Sequence, residues 1–265
     1  MIINNFDEID FNELYIKQKE QSSFKMKSQD AWDKKASSMN KRVHESIYND
    51  EFLALVDISN CESLLDVGCG VGNLSLKLAD KLKEINCLDY SLGMLEILEK
   101  NAKEKSITNI NTINKSWYDD WETVPKTDIV IASRSMEVAN MKEALVKLNN
   151  QAKKRVYLSY KVGGSFLADE ILEVMQKEII KKPDYIYLVN ILYSLGIHAK
   201  VNFVRSEGRS TVYTSKNEFI KSVSWSIGQL SNEEIQRLGK YYDEVIKYKK
   251  ESIDYVKWAV ISWEK

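Results

Sequence analysis

Five short strand-like runs recur between residues 63 and 161, and helical periodicity fills most of the gaps between them. The runs are SLLDV (63–67), INCLDY (85–90), INTINKSW (110–117), TDIVIAS (127–133) and KRVYLSYK (154–161). LSLKLADKLK (74–83), GMLEILEKNAKEK (93–105) and MKEALVKLNNQA (141–152) repeat their apolar residues three and four apart, the spacing of helices that cover a sheet. Strands alternating with helices imply right-handed crossovers and a parallel sheet covered on both faces. Ahead of them, residues 28–56 carry helical spacing, with Ser28 or Asp30 as the cap. After residue 165 the pattern changes. FLADEILEVMQKEIIKK (166–182) and YIYLVNILYSLG (185–196) predict two helices split by Pro183, with Gly196 as a stop. AKVNFVRS (199–206) reads as a strand, NEFIKSV and SNEEIQRLGKYYDEVIKYKKE as helices, and DYVKWAVISWEK as a closing strand. The expectation is an α/β fold, a doubly wound, mostly parallel seven-stranded sheet with helices on both faces and a helical cap late in the chain.

A chain of 265 residues, 44% of them hydrophobic, can bury a sizeable core. A net charge of −1 gives no global basic field for nucleic acid or an anionic membrane. Cys61, Cys69 and Cys87 show no CxxC pairing and no histidine at ligand spacing, so no metal site is expected. Scattered cysteines suit a reducing compartment. MIINNFDEIDFNELY is acidic and mixed, unlike a secretory signal. The run YIYLVNILYSLGI is too short to span a bilayer. A cytoplasmic protein is expected.

The first strand runs into LLDVGCGVGNLSLKLAD (64–80), with glycines at 68, 70 and 72. A dinucleotide fingerprint would place its third glycine at 73, where this chain has Asn73. The phosphate loop G-x-x-x-x-G-K-[ST] does not fit either. A glycine-rich turn from strand to helix still lets a ligand press on the backbone, and in a doubly wound sheet that turn lies at the carboxyl ends of the strands.

LLDVGCGVG (64–72) resembles the first motif of the class I S-adenosylmethionine (SAM)-dependent methyltransferases. LDYSLGML (88–95) resembles their second motif, DIVIASRS (128–135) their fourth-strand segment, and AWDKKA (31–36) the lead helix of small-molecule members. The resemblance covers residues 30–160 in order and implies a Rossmann-like SAM-binding core there, within one methyltransferase domain over 1–265 whose region 165–255 is a partly helical cap with the last two strands. It further implies that Gly68, Cys69, Gly70 and Gly72 line the methionyl part of SAM and that Asp66 helps hold its amino group through water. Asp89 would accept from both ribose hydroxyls, a task to which the two oxygens of a carboxylate are matched. Tyr90 and Met94 would flank the adenine, Ser116 and Trp117 would meet its edge or face, and Ser133 and Arg134 would end strand four beside the methyl. Cys69 reads as a small loop residue rather than a nucleophile.

The implied reaction is in-line displacement of the SAM methyl by a nucleophilic O, N, S or C, leaving S-adenosyl-L-homocysteine (SAH). The cofactor supplies the reactivity, and the protein supplies alignment and a dry site. A general base is required only where the acceptor must lose a proton; His198 is a candidate. Arg134 and Glu137 flank the strand-four exit and can position a polar or charged acceptor. Trp32 on the lead helix joins the acceptor candidates. So do Tyr187, Asn190 and Tyr193, on two stripes of one predicted helix; the alternative for the tyrosines is core packing with a satisfied hydroxyl. The segments over 215–250 read as a cover that excludes water. Three functions stand: methylation of a small molecule, methylation of RNA, DNA or protein, and SAM binding without catalysis. Against the second, SRSME follows strand four where base-amino methylases carry an Asn/Asp-Pro-Pro-aromatic run, and no basic arm is visible. Against the third, Asp66, the glycines and Asp89 are all present. The expectation is a small-molecule acceptor, no nucleic-acid or membrane partner, and a monomer or homodimer.

Overall fold

The computed structural model describes residues 5–24, 26–41, 43–165, 167–208, 213–250 and 255–265. Arg42, Phe166, Glu251 and Asp254, which fall in expected elements, lie outside the described residues. Seven strands form one sheet: β1 (Ser63–Val67), β2 (Glu84–Asp89), β3 (Ile110–Asn114), β4 (Thr127–Ala132), β5 (Ala152–Lys161), β6 (Lys200–Glu207) and β7 (Tyr255–Glu264). Their spatial order is β3-β2-β1-β4-β5-β7-β6. β1 pairs in parallel with β2 and with β4, as β2 does with β3 and β4 with β5. β7 runs antiparallel to β5 on one side and β6 on the other. The chain reverses direction across the sheet at β1, so the crevice between the carboxyl ends of β1 and β4 is the switch point where such sheets take their ligands.

One face of the sheet is covered by α1 (Phe11–Gln21), α6 (Met141–Gln151) and α8 (Tyr185–Ser194), which bury Tyr15, Leu145, Leu148, Leu188 and Leu192 against Leu65, Val67, Val130 and Val156. The other face is covered by α3 (Ile47–Leu53), α4 (Ser75–Leu78) and α5 (Leu92–Glu104), which bury Tyr48, Phe52, Leu74, Leu78 and Leu98 against Leu64, Ile85, Ile129 and Ile131. Neighbouring residues of β1 thus serve opposite cores, as the period of two requires. The lead helix α2 (Gln29–Asn40) is capped by Ser28, whose Oγ accepts from Ala31 N–H, and it packs along α5.

The cap is assembled from two excursions of the chain. α7 (Asp169–Met175) lies between β5 and α8, and α9 (Lys216–Ile227) and α10 (Asn232–Glu244) lie between β6 and β7. Leu172, Met175, Phe219, Val223 and Leu238 form a third apolar core, joined by Phe24. α8 and β6, which separate the two excursions in sequence, belong to the sheet layer.

Two predicted helices are shorter than their periodicity. Beyond Leu78, the side-chain amide of Asn109 donates to the carbonyls of Ala79 and Leu82 and holds them in turns. Beyond Met175, Gln176 takes a left-handed φ of 52°. The following chain docks on α1: Ser23 N–H donates to Ile180 O and Ile180 N–H to Ser23 Oγ. Backbone groups satisfied by tertiary partners outweigh the helical preference of those residues.

Candidate functional site

The glycine loop leaves β1 and turns into α4. Gly68 and Cys69 donate their N–H groups to Leu88 O, at 2.7 and 3.2 Å, which ties the loop to β2. Gly68 has φ +70°, and a Cβ there would stand 2.3 Å from the Cβ of Ser135, whose Oγ donates to Val67 O. The loop after β4 therefore lies directly against Gly68. Gly72 is closed by packing, with a Cβ meeting Leu98 at 3.0 Å. Gly70 differs. It has φ +55°, and the nearest atom to a Cβ is Met94 Sδ at 4.0 Å. The left-handed backbone favours glycine here, while the space over it is open to a ligand.

Asp89 ends β2 and is 7% exposed. Its Oδ2 accepts from Gly70 N–H at 2.9 Å and its Oδ1 from Ser91 N–H at 2.9 Å. Each oxygen keeps a second lone pair. Burial pushes its pKa up against those two bonds. Asp66 is 2% exposed, and burial pushes it to about 6, with the Asp89 charge acting in the same direction and the Ser75 hydroxyl, 2.5 Å from Oδ2, opposing. Cys69 is buried, and burial and the neighbouring Cys87 push its thiol well up, the state of an inert thiol.

The lead helix closes over this loop. Trp32 and Ala36 of α2 pack with Val71 and Met94. Asp33 Oδ1 accepts from Ser91 Oγ at 2.5 Å and from Gly93 N–H at 3.1 Å, so α2 holds the N-terminus of α5. Tyr90 Oη donates to Lys27 O. Ser116 Oγ accepts from Tyr118 N–H, and Trp117 Nε1 donates to Ser135 O at 3.1 Å, linking the loops after β3 and β4. Ser133 shares a 2.7 Å hydrogen bond with Tyr48 Oη. The structure thus gathers Asp66, Gly68, Cys69, Gly70, Gly72, Asp89, Tyr90, Met94, Ser116, Trp117 and Ser133 at the carboxyl ends of β1 to β4. An open cradle at Gly70 beside a strand-end carboxylate fits a cofactor that carries a vicinal diol.

On the β5 side, Glu137 keeps 41% of its side chain accessible. Its Oε2 accepts from Lys19 at 2.5 Å and Lys182 at 2.9 Å. Burial raises its pKa, but the Lys182 and Lys19 charges outweigh this and hold it below the usual carboxylate range. Tyr15 Oη donates to Val138 O, and Tyr160 at the end of β5 is 5% exposed. Arg134 is half-buried, with its guanidinium 4.2 Å from the centre of the Tyr48 ring.

The remaining candidates are not brought here. Tyr187 donates to Gln18 Oε1 and stacks edge-on with Tyr15, bracing α1 from behind. Asn190 Nδ2 donates back to Ile186 O within its own helix. Tyr193 is 54% exposed and stacks edge-on with Phe6 and with His198, itself exposed. The physical reason is that α8 buries Leu188, Ile191 and Leu192 against the sheet, which turns the Asn190 and Tyr193 stripes away from the strand ends. Sequence reasoning missed Asp33, Tyr48, Ser159, Lys19 and Lys182. Asp33 had a signal in its place within AWDKKA, beside Trp32.

A family model described as a methyltransferase domain matches residues 64–155, the span from β1 into β5. Over 236 residues the chain is 37% identical to an uncharacterized protein of Haemophilus influenzae, covering 88% of each. It is 26% identical over 118 residues to the 23S rRNA (uracil(1939)-C(5))-methyltransferase of Aliivibrio fischeri strain MJ11, covering 43% of this chain and 27% of that enzyme. The magnesium protoporphyrin IX methyltransferase of Synechocystis PCC 6803, solved with bound SAH, superposes with a TM-score of 0.51 at 13% identity, covering 96% of this chain and 95% of that one. With the motifs in register, the strand order 3-2-1-4-5-7-6 and the match along the core, the chain belongs to the class I SAM-dependent methyltransferases, enzymes whose methyl donor is SAM.

Proposed function

We propose that this enzyme methylates a small molecule, as one methyltransferase domain in which residues 30–160 hold SAM and the cap covers the acceptor. The observation that carries the proposal is the roof over the strand ends. Trp32 of α2, packed on Val71 and Met94, meets Trp225 of the cap edge-on at 5.9 Å between ring centres. Lys27 and Lys35 lie against the same Trp225 ring. A lead helix joined to a cap roofs the strand ends, which suits a small acceptor, where a folded RNA or protein needs an open face. The similarity to the rRNA enzyme is confined to 43% of the chain; a match of that length carries the core that methyltransferases share rather than an acceptor site.

SAM, when bound, supplies an electrophilic methyl group on a sulfonium. Asp89 would orient the ribose hydroxyls through its remaining lone pairs. The bare backbone at Gly70 would let the methionyl part approach, and Asp66 would face its ammonium. Tyr90, Met94, Ser116 and Trp117 would border the adenine and Ser133 the methyl. Trp32 would exclude water from the site. Glu137 is held ionised by its two lysines, so it would accept a hydrogen bond from an acceptor O–H or N–H while being a weak base.

The test is incubation with methyl-labelled SAM and, in parallel, a filtered small-metabolite extract and total RNA. Label is expected in a low-molecular-weight product. Label confined to the RNA would overturn the proposal.

A further inference from the structure

Arg134 is the first residue after Ser133 at the exit of β4, and its neighbour Ser135 lies against Gly68. Its φ is +56°, a left-handed conformation that is strained for a residue with a side chain. The surroundings hold it there. Arg134 N–H donates to Ser159 Oγ at 2.9 Å, and Tyr48 Oη bonds to Ser159 Oγ at 2.6 Å and Ser133 Oγ at 2.7 Å. Tyr48 is wholly buried, so the network is rigid.

This strained backbone aims a guanidinium. The group sits 4.2 Å from the centre of the Tyr48 ring and 5.9 Å from that of Trp258. Both rings lie within cation–π reach of the group, and neither engages its N–H donors. Among the described residues no carboxylate lies within 4.0 Å of it and no hydrogen bond engages its side chain. Glu207 acts on it electrostatically from beyond ion-pair distance, and its two oxygens accept from Ser46 Oγ and Ile47 N–H at the start of α3. A half-buried guanidinium with unused donors is costly to keep and suited to a two-pronged anion.

The direction of the side chain separates acceptor from cofactor. Trp258 pairs with Lys161 at the carboxyl end of β5. From β4, the guanidinium therefore reaches across β5 toward β7, away from Asp89 on β2 and the glycine loop. On the other flank of the same loop, Lys19 and Lys182 share the single oxygen Oε2 of Glu137.

We infer that the methyl acceptor is an anion, a carboxylate or phosphate compound whose charged group is received edge-on by Arg134. The inference rests on the small-molecule reading above. The probes are succinate and inorganic phosphate, with neutral succinamide as the control, titrated into SAH-saturated protein by calorimetry with tryptophan fluorescence in parallel. Wild type is expected to bind at least one of the two anions in preference to succinamide. Arg134→Gln should weaken that binding at least tenfold and leave the SAH affinity within twofold. Arg134→Lys, which keeps the charge without the fork, should fall between them, and it carries the test if the Gln variant does not fold. A tenfold loss of SAH affinity in the variants would assign the guanidinium to the methionyl carboxylate and overturn the inference, as would equal binding of succinamide or no binding of either anion. Failure of wild type to bind SAH would instead defeat the methyltransferase site itself.

Discussion

At Asp66, burial favours the protonated acid, whereas the cofactor role proposed for it calls for the carboxylate. Burial moves its pKa from 3.8 to about 6, so the folded state favours the protonated acid. The associated stability is present below about pH 4 and is lost as pH rises to about 6; above that the buried charge costs about 3 kcal/mol, at 1.36 kcal/mol per unit. Asp66→Asn should therefore raise Tm at pH 8 and leave it nearly unchanged at pH 4. If Asp66 faces the SAM ammonium, wild-type affinity for SAM should increase as pH rises through 6, and the variant should bind weakly with a flat profile. Melts and calorimetry at pH 4 and 8 check both; a Tm gap of equal size at the two ends would contradict the buried-charge argument. The placement of Asp66, Asp89 and the glycines was legible because it is local: each lies in or next to a strand-to-helix turn. Lys19–Glu137 and Tyr48–Ser159 were not, since their partners are 118 and 111 residues apart and only the fold joins them.

Secondary-structure elements place the site as much as its residues do. α2 matters through Asp33, whose carboxylate bonds Ser91 Oγ and Gly93 N–H at the start of α5. An anion there also meets the positive end of the helix. Asp33→Ala should cost about 1–2 kcal/mol of stability, as for the loss of a cap, and weaken SAM binding severalfold by loosening the roof; a melt and a titration measure each, and an unchanged SAM affinity would show that α2 does not hold the loop. The strand count, the parallel core and the helix positions follow from periodicity. The lengths of α4 and α7 do not, because Asn109 and Ser23 end them from elsewhere in the chain. α8 shows the same limit. Its sequence offers two polar stripes with aromatic residues, and only packing decides that Leu188 and Leu192 face the sheet and Tyr193 faces out.

At the scale of the whole molecule, the sheet sets a crevice at β1 and β4, and the cap meets the lead helix through Trp225 and Trp32. That the cap gathers two excursions around Phe24 and Phe219 could not be read from the sequence, because α8 and β6 interrupt it. Among the described residues no helix is long and apolar enough to cross a membrane. The central claim is that SAM lies on the open backbone at Gly70. Its direct measurement is calorimetric titration of SAM into wild type and Gly70→Ala, with circular dichroism on both. The fold has room for the methyl group, since Met94 Sδ lies 4.0 Å away, and the left-handed backbone costs the variant about 1–2 kcal/mol. The expected result is micromolar SAM binding to wild type and none to a variant that remains folded. Equal binding by the two proteins, or no binding by well-folded wild type, would contradict the claim.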